Sequence, residues 1–529
     1  MKNEVTMDSL IIENAVLRAE LSEVKGKLAY FMELLSSSRR KQFGVSSEKS
    51  IYDGIFAQPE LFPNNQTEVH VFGSEAADEA PPAPKNKPIK KGEMNTRLSA
   101  GLPIETVECV LPDDEQGCPQ CGEQMHVIGK EIVRRELKFT PAEATIIEYV
   151  RYTYGCRPCE RAETEAQLVK APMPPQLIKG SMCAPETVAH IAAEKCVMGA
   201  PLYRQEQDWR RKGIPITRQT MASWLIRCSE DYLEPIYEEL HRRMLLGDLL
   251  HSDDTIFQVL REPGKPAQSE SRMWLYRTSC DVEHPIVLYD YQPDRSKERP
   301  REFLAGFSGY LLTDGYTAYH TLPENIVVVG CLAHVRSKFT DALKCLKEAE
   351  RPGSLALEGK KYCDHLFDLE RDIKDEPFSE RFKLRNEKAS PILNEFRIWL
   401  DAVSPHISSK SKLGTAVGYA MNQWKYVIRY LLDGRIECSN NRGERSIKPF
   451  VINRKNFLFA DSVAGARAAA VLHSMTETAK ESSLDPYEYL SYVFRNARAS
   501  NIRGDADLLE KLLPENAPQS CRARLDARK

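Results

Sequence analysis

Two sets of residues in this sequence have the types and spacing for chemistry. The first is a pair of Cys-x-x-Cys knuckles, Cys118-Pro-Gln-Cys121 and Cys156-Arg-Pro-Cys159. Each knuckle turn supplies two thiolates, and four thiolates at about 2.3 Å complete the tetrahedral shell of Zn2+. The spacer is longer than the roughly 15–20 residues common in such sites. A zinc ribbon is still the expectation, with a redox dithiol or chance pairing as the alternatives. A shell closed by four cysteines leaves no position for a substrate, so Zn2+ here is expected to fold its module and take no part in a reaction.

The second set is acidic and widely spaced: Asp253 or Asp254, then Asp314, then Glu444. Phosphodiester transfer uses two hard divalent cations roughly 3.5–4 Å apart, and carboxylates are the ligands such ions take. Each residue alone has a plainer reading. An Asp at a strand end is commonly solvated turn chemistry, and Glu444 could belong to a capped surface helix in which it pairs with Lys448 four residues on. Successive strand residues face opposite sides, so only one of Asp253 and Asp254 can enter a shared site.

The surrounding pattern supplies elements that would bring these acids together. Leu249–Leu260, Met273–Thr278 and Ile286–Tyr291 alternate as strands, Glu298–Gly306 has helical spacing, and strands over Tyr310–Leu312 and Ile326–Val329 follow. Three antiparallel strands, a crossover helix and a parallel strand open the ribonuclease-H-like topology. In that arrangement an Asp on the first strand and an Asp ending the fourth lie side by side. Residues 340–435, with Trp399 and Trp424, form a helical insertion before the Glu444 helix. The tryptophans are core or a surface on which a base stacks. Ser439 or Asn440 is the expected cap of the Glu444 helix. Cys331 and His334, a Cys-x-x-His pair after the fifth strand, are read as packing or positioning groups near the site in preference to zinc ligands.

The rest of the chain is modular, as its 529 residues require. Over residues 1–50, Leu10, Leu17, Val24 and Phe31 alternate with Leu21, Leu28 and Leu35 on a heptad, followed by Arg39-Arg40-Lys41. This is coiled-coil spacing, either a dimerising zipper or one amphipathic helix on its own domain. Residues 51–105, rich in proline and polar residues, form a flexible linker, and 106–165 hold the zinc module. Residues 166–247 are helical: a helix ends near Arg211-Lys212-Gly213, and Thr217 caps another that begins with Arg218 and Gln219. That is the outline of a helix-turn-helix DNA reader, which any helical bundle also contains. Residues 248–500 form the catalytic domain and 501–529 a basic tail with Arg522, Arg524, Arg528 and Lys529. The fold class is therefore α/β and multidomain.

Composition excludes little. Net charge is −3, but the basic clusters are local, so nucleic acid is not excluded. No apolar run approaches the roughly 20 residues that span a bilayer, so no membrane partner is expected. The opening residues lack the apolar core of an export signal, and a cytoplasmic, nucleoid-associated protein with reduced cysteines is expected.

Four ordered blocks, LLHSDDTIFQVL, LLTDGYTAYHTL, GCLAHVRSKF and SNNRGERSIKPFVINRKNFLFADSVAGARAAAVLHSM, resemble the transposases named after insertion sequence sixty-six. The likeness covers nearly the whole chain, including the RRKQFGVSSEK and PLYRQEQ segments. It implies a bacterial DNA transposase whose Asp253, Asp314 and Glu444 hold Mg2+ or Mn2+, cut the element's ends and transfer the strand to target DNA. The family's usual Ala-Asp-Glu-Thr-Pro stands here as Ser252-Asp253-Asp254-Thr255-Ile256, and position favours Asp253. Arg445 and Lys448 beside Glu444, and Arg454 and Lys455 further on, are expected to grip the DNA backbone, with Arg218 and Gln219 at the helical region. A homo-oligomer, at least a dimer, and companion proteins of the same element are the expected partners. The rival readings are a zinc-containing DNA-binding regulator without catalysis and a nuclease on the same fold that does not join strands.

Overall fold

The computed structural model describes residues 153–154, 169–170, 175–498 and 502–523. The heptad segment, the linker and Cys118, Cys121, Cys156 and Cys159 lie outside the described residues. Strands β1 (Thr153–Tyr154) and β2 (Val169–Lys170) pair antiparallel in a unit that spans Ala57–Pro174.

The larger unit is a mixed α/β structure. Four helices, α1 (Pro185–Cys196), α2 (Leu202–Arg211), α3 (Arg218–Cys228) and α4 (Glu234–Leu245), lead into a mixed sheet. Its strands are β3 (Leu249–Arg261), β4 (Glu270–Thr278), β5 (Val287–Gln292), β6 (Gly309–Thr313) and β7 (Ile326–Gly330), with helix α5 (Glu298–Phe303) crossing between β5 and β6. The spatial order is β5-β4-β3-β6-β7. The β3–β4 and β4–β5 pairs are antiparallel, and β3–β6 and β6–β7 are parallel. Each strand expected between Leu249 and Val329 is present, shifted by a few residues at its ends.

Alternation along the strands divides the core. Met273, Leu275, Val287 and Tyr289 face one side, where they meet Ile447 and Phe450 of α11 (Asn441–Phe457) and Ala466 and Ala470 of α12 (Val463–Glu481). Trp274, Tyr276 and Leu288 face the other, with Phe303, Phe307 and Tyr319. Between β7 and α11 runs the helical insertion: α6 (Leu332–Lys344), α7 (Leu355–Asp372), α8 (Phe378–Leu384), α9 (Ser390–Val403) and α10 (Lys412–Val427). Trp399 is buried there among Phe339, Phe396 and Val403, and Trp424 packs against the same core, so both contribute to packing within the insertion.

Two regions expected to stand apart do not. Buried residues of α1, α3 and α4 share one core with the sheet and with α13 (Pro486–Ala497). The segment expected to begin a basic tail folds back as α14 (Ala506–Leu512), burying Leu512, Leu513 and Cys521 in that core, and Leu484 bridges to Arg522. The apolar residues among the tail's charges are few, but they are spaced to reach one surface. Among the described residues no helix is long and apolar enough to cross a membrane.

Candidate active site

Asp253 lies mid-strand in β3, opposite Leu275 of β4, and therefore faces the side covered by α11. Asp254 is paired with Trp274 and faces the other side. Parallel pairing aligns His251 with Leu312. Two further steps put Asp253 level with Asp314, the residue after β6, on the same face. Glu444 stands in the first turn of α11. The fold thus brings Asp253, Asp314 and Glu444 from three elements into one region, near enough to act on one another electrostatically, although their carboxylate oxygens do not all lie within 4.8 Å of one another.

Several small residues allow this convergence. A Cβ at Gly315 would lie 2.6 Å from the Tyr419 hydroxyl, so glycine after Asp314 lets α10 approach the turn. Asp314 Oδ1 accepts the backbone N–H of Tyr316 at 2.9 Å, which fixes the carboxylate's orientation. Asn440 sits at the cap position of α11 but its side chain makes no cap bond. It donates instead to the Ser252 carbonyl at 2.8 Å and accepts from His251 Nδ1 at 3.0 Å. A Cβ at Gly443 would lie 2.8 Å from the Asn440 side-chain oxygen, so glycine makes room for this lock. The same segment is held from behind: Asn440 N–H donates to Cys331 Sγ at 3.1 Å, and Leu332 N–H to the Cys438 carbonyl at 2.9 Å. Glu444 is thereby tied to β3 and to the end of β7.

The electrostatics separate the two adjacent aspartates. Asp253 is buried and its Oδ2 has no hydrogen-bond partner. Burial, then Asp314, Glu444 and Asp254, push its carboxyl well above the usual carboxylate range. Asp254 is raised by burial, but Arg295 and Arg272 oppose this. Arg295 donates to Asp254 Oδ1 from Nε and Nη2 at 3.2 and 2.9 Å, and Arg272 to Oδ2 at 3.4 Å. An unpartnered, buried carboxylate oxygen facing two further acids suits a cation in a way that a paired one does not. The donor set is all oxygen, which favours a hard divalent ion. By donor chemistry and pairing, Asp253, Asp314 and Glu444 could hold a hard divalent cation, whereas the oxygens of Asp254 are taken by Arg295 and Arg272.

Glu444 has His334 Nδ1 at 3.7 Å as its charged neighbour, not Lys448. Cys331, His334 and Glu444 offer ligand atoms within 4.8 Å of one another, with no fourth member among the described residues. Burial opposes charge on His334, but Cys331, Glu444 and Asp314 outweigh it and push it up to about 10. The Cys-x-x-His pair thus borders the carboxylates and braces the α11 entry.

Of the basic residues expected to meet DNA, Arg445, Lys448 and Lys455 are exposed along one side of α11. Arg454 is partly buried and donates to the Ile256 carbonyl, tying α11 to β3. Arg218 and Gln219 are exposed at the amino end of α3, where Thr217 accepts the Thr220 N–H as expected. Arg295 was not singled out in the sequence, since a lone arginine in a polar loop carries no spacing signal.

The family model described as transposase IS66 family matches residues 180–468, more than half of the chain. A second, the zinc-finger binding domain of transposase IS66, matches residues 115–160, which include all four knuckle cysteines. Two uncharacterized proteins of Sinorhizobium fredii are similar: y4jD is 30% identical, covering 83% of this chain and 86% of its own, and y4qI 29%, covering 97% and 94%. Among solved structures, the Drosophila P element transposase strand transfer complex aligns at 9% identity over 63% of this chain and 94% of that one, with a TM-score of only 0.21. The protein is a DNA transposase. More narrowly, the chain belongs to the transposase IS66 family, which disfavours both the regulator and the non-joining nuclease.

Proposed function

We propose that this transposase cuts the ends of its element and joins the freed strand to target DNA at Asp253, Asp314 and Glu444, on a ribonuclease-H-like core. The observation that carries the reading is the buried, unpartnered Asp253 carboxylate facing the other two acids. The strand order and the change from antiparallel to parallel pairing at β3 support the core assignment. Mg2+ or Mn2+ bound there supplies activation of the attacking oxygen and charge stabilisation of the leaving oxygen.

The chain's own groups do the positioning. Asn440 holds the α11 entry against β3, so Glu444 meets Asp253 without a search. Water attacks the phosphodiester at the element's end and the 3′-oxygen leaves, taking up a proton; that 3′-hydroxyl then attacks a target phosphodiester in line, and the target's own 3′-oxygen leaves. Arg445, Lys448 and Lys455 line the exposed side of the helix that carries Glu444, and contacts from them to phosphates hold the end in place. Arg218 and Gln219 contact DNA from the helical region, Arg454 acts by fixing α11, and Zn2+ on Cys118, Cys121, Cys156 and Cys159 folds the knuckle module. The active species is at least a dimer, served by companion proteins of the element.

The test is Glu444→Gln, assayed for cleavage, strand transfer and end binding. Cleavage falls by more than about 1000-fold because several kcal/mol of charge stabilisation is lost, while end binding persists. Substantial cleavage by the folded variant overturns the assignment.

A further inference from the structure

We infer that Arg295 is a substrate-binding residue of this site: its guanidinium donates to a non-bridging oxygen of the phosphodiester under attack, and Asp254 anchors it. The inference rests on the three-carboxylate reading above.

Arg295 lies in the loop between β5 and α5. The loop is pinned beside it, since Asp294 accepts the Ser296 N–H at 2.9 Å and pairs with Arg299 at 2.9 Å. The guanidinium packs over the Tyr316 ring, 3.8 Å from its centroid, and the Tyr316 hydroxyl donates back to the Arg295 carbonyl. Tyr316 is two residues from Asp314, so this reciprocal contact locks the β5–α5 loop to the turn bearing that acid. Nη2 of Arg295 also forms a long ion pair with Asp314 Oδ2 at 4.0 Å, too far for a hydrogen bond.

Exposure and an uncommitted donor point to an unused role. Asp254 is 1% exposed at its side chain and already has Arg272 at 3.4 Å. Arg272 is shared with Glu270 at 3.5 Å, so Arg295 is the closer partner of Asp254. Arg295 commits only Nε and Nη2 to Asp254, and its Nη1 has no hydrogen bond among the described residues. Its side chain is 31% exposed. An arginine held on one edge by a buried carboxylate and stacked on an aromatic ring presents a preorganised donor edge. Such a planar fork matches phosphate oxygens, and the phosphate that must enter beside Asp314 is that of the DNA. The second aspartate of the Asp253-Asp254 pair is then not a rival ligand but the holder of a phosphate-binding cation.

The experiment uses the full chain and a labelled duplex carrying the element's end, and follows single-turnover nicking, DNA affinity and Mg2+ dependence. Arg295→Ala nicks about 100-fold more slowly, the loss expected for one preorganised donor. Its DNA affinity stays within about threefold, and half-saturation by Mg2+ does not rise. Asp254→Asn loses about tenfold, and the double variant is no slower than Arg295→Ala, because the two act as one unit. Methylphosphonate at the scissile position replaces one charged oxygen; for one diastereomer the advantage of wild type over Arg295→Ala shrinks to less than about threefold. If Arg295→Ala does not fold, Arg295→Lys, which keeps the charge without the fork, is read the same way. Nicking of native DNA within about threefold of wild type, or an advantage unaltered by both diastereomers, overturns the inference. Wild-type nicking by Asp253→Asn would instead sink the three-carboxylate reading beneath it.

Discussion

Deep in the helical insertion, Arg385 is fully buried and its charge is answered on every side. Glu370 takes two hydrogen bonds from it at 2.8 and 2.6 Å, and the Tyr430 and Asp433 carbonyls take two more. At the sheet, Asp253 is as deeply enclosed, but its near neighbours are acids and one of its oxygens has no partner. The first cluster is closed within the chain, as a buried ion pair must be to persist. The second is not: Asp253 itself has no cation paired with it among the described residues. Buried charge is therefore informative about function when it is left unanswered.

Asp253→Asn gives the sharpest contrast. Nicking falls by more than about 1000-fold for want of several kcal/mol of charge stabilisation, yet the fold keeps its stability or gains up to about 1 kcal/mol, since repulsion among acids is relieved. Thermal unfolding in the absence of divalent ions measures this, and a marked loss of stability would show that Asp253 has a structural partner after all. Glu370→Gln behaves in the reverse sense. It costs about 3 kcal/mol by leaving Arg385 buried without a counter-charge, while nicking per folded molecule stays near wild type; urea unfolding and active-fraction assays distinguish the two. Asn440→Ala belongs between them. Stripping partners from the Ser252 carbonyl and His251 costs about 2 kcal/mol, and nicking slows because the α11 entry loosens.

Acidification acts on the sheet region, through two buried histidines. Burial holds His473 down at about 3 and His251 at about 4, although Glu437 and Asn440 pull the latter up. Both lie below the unfolded value of about 6.5, so the unfolded chain takes up these protons first. Their contribution is complete above that pH and drains as pH falls toward 4, by at most about 1.4 kcal/mol per unit for each histidine. Urea midpoints at pH 7, 6 and 5 should decline in step, and a flat series would mean that the two rings take up protons in the folded protein as readily as in the unfolded chain.

Much of this was legible in the residues because it rests on periodicity. Alternation in Leu249–Leu260 and its neighbours marked the strands, and the approach of Asp253 to Asp314 follows from strand parity. The choice between Asp253 and Asp254 was not so accessible. Both sit in one strand, and what distinguishes them in the fold is the face each takes and the arrival of Arg272 and Arg295 at Asp254 from β4 and a distant loop. Ser439 and Asn440 both have the type and position for a cap of α11; Asn440 takes the cap position, but a tertiary contact to β3 competes for its side chain and wins. The terminal segment was read from its charges, whereas Leu512, Leu513 and Cys521 decide where it goes.

The pinning of Leu332 to Cys438, and of Cys331 to Asn440, closes the helical insertion at its base. The chain departs from the sheet and comes home at nearly the same point, as a bag is gathered at the neck. Within that loop α7, α8 and α9 can lengthen, shorten or be exchanged without displacing the acid that follows them, whereas α6 carries His334 beside Glu444 and α10 packs on the turn after Asp314. The interval in sequence between Asp314 and Glu444 is therefore free to change while their places in the fold stay put.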